Sequence, residues 1–259
     1  MVTENRYNIR AIDRGLQVLS LLSDGKSRKL TDLSADIGLN SSTAFRVLAT
    51  LVAHNYVERD EQSGEYRLGL ACLELARAYH VGNDLRRAAL PIMEKLRDSS
   101  TETVHLGVLD KMEVVYLEKL HGLHAVGLMS SRVGARAPAH CTGVGKTLLA
   151  YTDSAQVQQY FEQAGLPRFT DTTIQSTTDL LPHLSQIRQQ GYAFDRGEHE
   201  AEVCCVAAPV FDAQGQVVAA LSVSGPVTRL APIDERSDLI EQTRQAAVDV
   251  SARLGYRAE

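Results

Sequence analysis

Apolar residues recur along this chain in two rhythms, and the change from one to the other divides it. From Ala11 onward Ile12, Leu16, Leu19 and Leu22 stand three or four apart, the spacing of one helix face, until Asp24-Gly25-Lys26-Ser27 breaks the run. A second, short helix is predicted from Thr31, as its N-cap, through Leu33 and Ile37, with Gly38 closing it in a left-handed conformation. Leu39 and Asn40 alone separate it from a third helix. That one opens on Ser41-Ser42-Thr43, whose hydroxyls can cap free N–H groups, and buries Ala44, Val47, Leu48 and Leu51. Helix, glycine turn and helix at this spacing make a helix-turn-helix. The period then shortens to two: Tyr56–Arg59 and Glu65–Leu68 flank the polar turn of residues 60–64, so a hairpin follows the third helix. Such a hairpin is the wing of a winged helix-turn-helix, and it brings Arg59 and Arg67 beside the third helix.

Residues 70–81 have high helix propensity and no breaker before Gly82-Asn83-Asp84, which predicts a linker helix over 70–83 behind a winged domain of 1–69. Another helix is expected over 85–99, kinked or restarted at Pro91. Then Val104, Leu106 and Val108 alternate, residues 110–113 turn, and 114–120 return as a paired strand. A third strand is expected from about His124 to Ser131, followed by a loop over 132–138. Helices near 145–151, 153–163 and 178–190, a short strand over 191–194, strands over 204–210 and 217–223, and a helix over 233–254 complete the chain. The fold class is α+β, with a single mixed α/β domain over 84–259.

Composition narrows what such a chain does. Its 259 residues are 44% hydrophobic and 23% charged, which excludes disordered, collagenous and coiled-coil classes. No apolar run approaches the roughly 18 residues of a membrane span. Met1 to Arg10 lacks the apolar core of a signal peptide, so a cytoplasmic protein with no membrane partner is expected. Cys72, Cys141, Cys204 and Cys205 are too few and too oddly spaced for a disulfide framework and read as reduced thiols. The net charge of −5 argues at first against a nucleic-acid partner. Its distribution removes the objection: Met1 to Gly69 holds nine Lys or Arg against nine Asp or Glu, so the whole acidic surplus lies beyond Gly69.

In a helix-turn-helix the first turns of the second helix enter the major groove, which makes Ser41, Ser42, Thr43 and Arg46 the candidates for base and phosphate contact. Arg46 is the one long donor there that can bind guanine through two hydrogen bonds, while Arg59 and Arg67 on the wing suit phosphates. A protein-interaction winged helix with a merely solvated polar face is the alternative. In the second domain, Gly143-Val144-Gly145-Lys146-Thr147 ends like a phosphate loop, but His140 stands where that loop needs its first glycine. What remains is a helix start whose free N–H groups favour a small anion. His140, Cys141, His199, Cys204 and Cys205 lack paired metal-ligand spacing, so no metal and no cofactor is expected. Cys205 with His140 as a nucleophile and base has no support from spacing either. Asp195 ends the 191–194 strand at an acidic loop, where a polar side chain can turn back into a cleft.

These residues add up to a resemblance. The chain resembles the IclR family of bacterial transcriptional regulators along nearly its whole length. Three segments carry the likeness in order: Pro138–Lys146, then Gly191–Asp195 with Cys205–Asp212, then Ala219–Pro226. The resemblance implies a GAF-like effector domain behind the winged helix, dimers through the DNA-binding domains, and tetramers through the effector domains. It also places an effector pocket. The N–H groups of Gly143 and Val144 would hold a carboxylate, Asp195, Cys205, Ser222 and Ser224 would supply polar contacts, and Val126, Met129, Ala137 and Val203 an apolar wall. Two departures stand out. Glu202 replaces a glycine and Cys204 an arginine of many members, and an extra carboxylate near an anion pocket would narrow its choice of ligand. Residues 101–110 look most like regulators of sugar-acid catabolism.

The expected function is therefore a homo-oligomeric transcription factor that binds double-stranded operator DNA and controls a catabolic operon, with repression the expected sign. A small organic-acid effector, of sugar-acid origin, would govern it. The rival is an enzyme or metal-binding protein that uses Cys205 and His140, with a vestigial winged helix.

Overall fold

The computed structural model describes residues 8–81, 84–124 and 129–257. It divides between two helical segments, into compact units of residues 1–83 and 84–259.

In the first unit α1 (Arg10–Leu22), α2 (Leu30–Asp36) and α3 (Ser41–Ala53) precede the hairpin β1 (Val57–Arg59) and β2 (Tyr66–Leu68), and α4 (Leu70–Val81) follows. Val18, Leu22, Leu33, Leu48, Val57 and Tyr66 form its core. Helices α2 and α3 bury the faces their spacing predicts, whereas α1 buries Val18 and Leu22 and leaves Ile12 and Leu16 of its expected face exposed. Two caps differ from expectation. Thr31 lies inside α2, whose N-cap is Lys29 without a side-chain bond. At α3 the cap is Asn40, whose side chain accepts the Thr43 N–H at 2.9 Å. Gly38 does end the turn with φ +63°, a conformation that costs other residues a steric penalty. Backbone bonds between Arg28 and Tyr66 in both directions, at 2.9 and 2.8 Å, bridge the segment before α2 to the outer side of β2.

The second unit is built on one antiparallel sheet of order β5-β4-β3-β8-β7-β6. Its strands are β3 (Thr103–Asp110), β4 (Glu113–Leu120), β5 (Arg136–Pro138), β6 (Ala193–Arg196), β7 (Val203–Phe211) and β8 (Val217–Pro226). Alternation assigns each strand residue to a face. Val104, Leu106, Val206, Ala208, Leu221 and Val223 point one way, onto α5 (Asp84–Ser100) and α10 (Ser237–Arg253), and close a dry core with Ile92, Met93, Leu96, Leu239 and Val250. The other face meets α6 (Gly143–Ala150), α7 (Ser154–Ala164) and α8 (Thr177–Gln190), where Val144, Leu148, Phe161, Leu180, Leu184 and Ile187 pack on Val114, Ala193, Ala207 and Ala220.

Three expectations need correction. Pro91 does not restart a segment: α5 is one helix through it, and the missing N–H leaves the Arg87 carbonyl without a helical partner. The described part of residues 124–131 holds no strand; the edge strand is β5, within the expected loop. There the Lys119 ammonium takes the Met129 and Ser131 carbonyls at 3.3 and 2.6 Å, and the Ser130 N–H goes to Glu200, so side chains satisfy backbone that a ladder would otherwise claim. The final helix is preceded by the short helix α9 (Val227–Leu230) and a single 3-10 turn, Ile233–Glu235, and begins only at Ser237.

Candidate functional site

The DNA-facing candidates are assembled by α3 and the wing. Ser41, Ser42 and Arg46 are exposed and Thr43 half-buried, and Ser42 and Arg46 lie on the face of α3 opposite buried Ala44 and Leu48. The Ser42 hydroxyl donates to Asn40 at 2.8 Å and so belongs partly to the cap. Arg46 makes no ion pair among the described residues and its guanidinium is free to reach a partner. The wing arginines differ: Arg67 is held by Glu58 at 3.0 Å, which neutralises part of its charge, while exposed Arg59 lies 5.8 Å from the centre of the Tyr66 ring.

The second candidate is a cavity of about 80 Å³ between the α6 start and the sheet face that α6 covers. Alternation explains its lining. His105 of β3 lies opposite Ser222 of β8, Ser224 opposite Cys205 of β7, and Cys205 opposite Asp195 of β6, so a row of polar side chains crosses four strands on one face. Gly143, Val144, Asp195, Cys205, Ser222, Ser224, Met129, Ala137 and Val203 all line this cavity. Val126, the tenth residue expected there, falls outside the described residues. Cys204 does not: on a pleated strand two adjacent cysteines face opposite ways, and Cys204 lies in the dry core under α10. Glu202 is exposed and away from the lining. Besides Asp195, the carboxylate that lines the cavity is Glu200, which accepts from the Ser130 N–H at 3.2 Å and from its hydroxyl.

Helix α6 is placed by glycine. Thr142 caps it, accepting the Gly145 N–H at 3.2 Å. A Cβ at Gly143 would lie 2.5 Å from the Cys205 sulfur, and one at Gly145 would run into the Ala139 backbone, so only glycine lets this helix start lie against β7 and the preceding turn. The Gly143 N–H is directed to the Cys205 sulfur. Val144 lines the cavity from the first turn of α6, where N–H groups have no intrahelical partner and the helix end is positive.

Charge around the cavity is unusual. Burial pushes the Asp195 carboxyl up to about 7, against the Glu198 N–H that it accepts at 2.7 Å and the nearby Lys146. Lys146, the lysine of the apparent phosphate loop, is wholly buried and salt-bridged to Glu198, so it is committed to the fold and not to a nucleotide. The second Glu198 oxygen is buried with no partner. Burial drives the Cys205 thiol well above its ordinary range, which leaves little thiolate for nucleophilic chemistry. His140 does not join it: its Nε2 lies 3.0 Å from the Pro167 carbonyl and its ring packs on Phe161 and Phe169. Among the described residues no group of three His, Cys, Asp or Glu side chains is arranged to hold a metal ion.

Residues with no expected role also line the cavity, chiefly His105, Tyr116, Ser131, Arg136 and Glu200, together with His199, weighed above only as a metal ligand. One signal was available for His105. The alternation of Val104, Leu106 and Val108 already places it on the opposite face, where a buried imidazole needs polar company.

Comparison with known proteins covers both units. Residues 11–61 match the model of the IclR helix-turn-helix domain, and residues 77–252 that of the bacterial transcriptional regulator IclR C-terminal domain. The HTH-type transcriptional regulator XynR of Escherichia coli K12 is 37% identical over 251 residues, spanning 96% of this chain and 99% of that one. The HTH-type transcriptional regulator KdgR of the same organism is 38% identical over 240 residues, 92% of this chain and 90% of KdgR. The crystal structure of an IclR homolog from Microbacterium hydrocarbonoxydans, complexed with 4-hydroxybenzoate, superposes with a TM-score of 0.83 at 31% identity, covering 94% of this chain and 98% of its own. No helix among the described residues is long and apolar enough to cross a membrane. With a free arginine on an exposed helix-turn-helix, and with both domains matched in order, this chain belongs to the IclR family of bacterial transcriptional regulators.

Proposed function

We propose that the protein is a dimeric regulator whose winged helices bind operator DNA and whose second domain takes a small carboxylate as its controlling ligand. The observation that carries the ligand reading is that the first turn of α6, at Gly143 and Val144, lines a cavity that also holds the buried Ser222 and Asp195. The 4-hydroxybenzoate held by the Microbacterium homolog is a carboxylate too, and supports the same class. At about 80 Å³ the cavity suits a short acid better than an extended sugar acid.

Dimerisation is supported by the first unit. Ile12, Leu16 and Phe45 are each about half exposed or more and line a groove between α1 and α3, with Leu75 of α4 at its border; Leu70, Leu73 and Tyr79 add further exposed apolar surface on α4. A second copy would cover this stripe and set two recognition helices at the spacing of a palindromic site. A ligand can then shift DNA affinity only through different affinities for the two arrangements of the dimer.

Arg46 tests the DNA half. Arg46→Ala should weaken binding to the upstream DNA of the regulated gene by about 1–3 kcal/mol in a gel shift, with the fold intact by circular dichroism. Unchanged affinity would remove Arg46 from the interface, and absence of salt-dependent DNA binding by the wild type would overturn the regulator reading.

A further inference from the structure

The cavity has a second end, and its chemistry differs from that of the α6 start. His105 is 3% exposed and sits between two serine hydroxyls: Nε2 is 2.9 Å from Ser131 Oγ, and Nδ1 is 3.4 Å from Ser224 Oγ. The Tyr116 ring lies beside it, 5.1 Å between centroids. All four residues line the cavity. Burial, helped by the charges of Lys119 and His121, pulls the imidazole down to about 3, so it is neutral throughout the physiological range.

A neutral imidazole has one N–H and one lone pair. Bound between two hydroxyls it forms a chain that can run in either direction. With the proton on Nδ1, Ser224 accepts from the ring and its own O–H is left to donate into the cavity. With the proton on Nε2, Ser224 donates to the ring and its lone pairs face outward. Either way a neutral oxygen on a ligand finds a partner, and no net charge is created. A second carboxylate would find that neutral hydroxyl but no free cation among the lining residues to offset its charge. Arg136, which also lines the cavity, is tied to Asp110 and to Glu113. Lys119 is spent on the Met129 and Ser131 carbonyls. Asp195 and Glu200 add acidic groups to the same walls.

We infer that His105 is a specificity-determining residue, which through Ser224 and Ser131 selects a monocarboxylate bearing a neutral hydroxyl or carbonyl and rejects a dicarboxylate. The inference rests on the carboxylate reading of the α6 start proposed above.

Isothermal titration of the full chain with lactate, propionate and malonate separates the two ideas. Wild-type protein should bind lactate about tenfold more tightly than propionate and show no malonate binding. His105→Phe, which keeps a flat ring of similar size without nitrogens, should bring lactate down to the affinity of propionate and leave propionate unchanged. His105→Asn, which keeps hydrogen-bonding capacity, should restore part of the preference. Should the phenylalanine variant misfold by circular dichroism, Ser131→Ala removes one partner of the ring and should lower the lactate preference in the same direction. A preference for lactate that survives these changes, or malonate binding as tight as lactate in the wild type, overturns the role of His105 and leaves the carboxylate site standing. Failure of all three acids to bind overturns both.

Discussion

The two faces of the six-stranded sheet are made by the same strands, in places by neighbouring residues, and they do different work. Cys204 is a small apolar filler in the core under α5 and α10; Cys205, one residue on, receives a helix N–H at the wall of a polar cavity. Val104, Leu106, Leu221 and Val223 bury hydrocarbon, while His105, Ser222 and Ser224 between them bury hydrogen-bonding groups. The period of two thus separates stability from recognition without separate segments of chain. The dry face gains from burial directly. The wet face must satisfy each polar group or leave it open for a ligand, since an unmet buried group is costly.

The largest expected effect tests whether the wet face is merely tolerated. Lys146→Met leaves Glu198, already short of a partner at one oxygen, as an unpaired buried carboxylate, and should destabilise the protein by about 3–5 kcal/mol in urea unfolding. Pairing that change with Glu198→Gln should recover a large part of the loss. A Lys146→Met midpoint equal to wild type would mean that the salt bridge contributes nothing to the wet face.

Next comes the dry face. Leu221→Ala opens a cavity at a fully buried central position and should cost about 3 kcal/mol, while ligand affinity stays within twofold because the side chain points away from the site. Loss of ligand binding in a folded Leu221→Ala protein would show that the faces are not independent.

Much of this division was legible before the structure. The helices of the winged unit follow from apolar spacing and Gly38, while Cys204, set beside the pocket by its neighbour Cys205, is turned to the dry face by the pleat of β7. What was not legible depended on partners far along the chain. Lys146 meets Glu198, 52 residues away, and local pattern made it look like a nucleotide-binding lysine. Strand β5 is three residues long, ends in proline, and exists because Val114 and Val115 of β4 offer it an edge. Glu200 rather than Glu202 reaches the cavity because Val203 begins the strand, and the residues before it are a turn whose facing no period predicts.

The smallest effect compares Asp195 with an acid of the winged unit. Asp60, fully exposed, has its carboxyl held low chiefly by the Ser63 N–H, so the stability it contributes is present above the unfolded pKa and fades as pH falls. Asp195 has the opposite sign. Its pKa is about 7 in the folded chain and about 3.9 unfolded, so between those values the folded state holds a proton that the unfolded state has lost. Its contribution is complete below about pH 4, declines as pH rises, and is gone above 7. Asp195→Asn keeps an oxygen to accept the Glu198 N–H and cannot titrate. Measured by urea midpoint from pH 4 to 8, the variant should therefore lack part of the wild-type decline, and the difference between the two curves should flatten near 7. Parallel curves would mean that Asp195 is ionised in the folded protein, and the wet face would then carry a fixed negative charge where a carboxylate ligand has to bind.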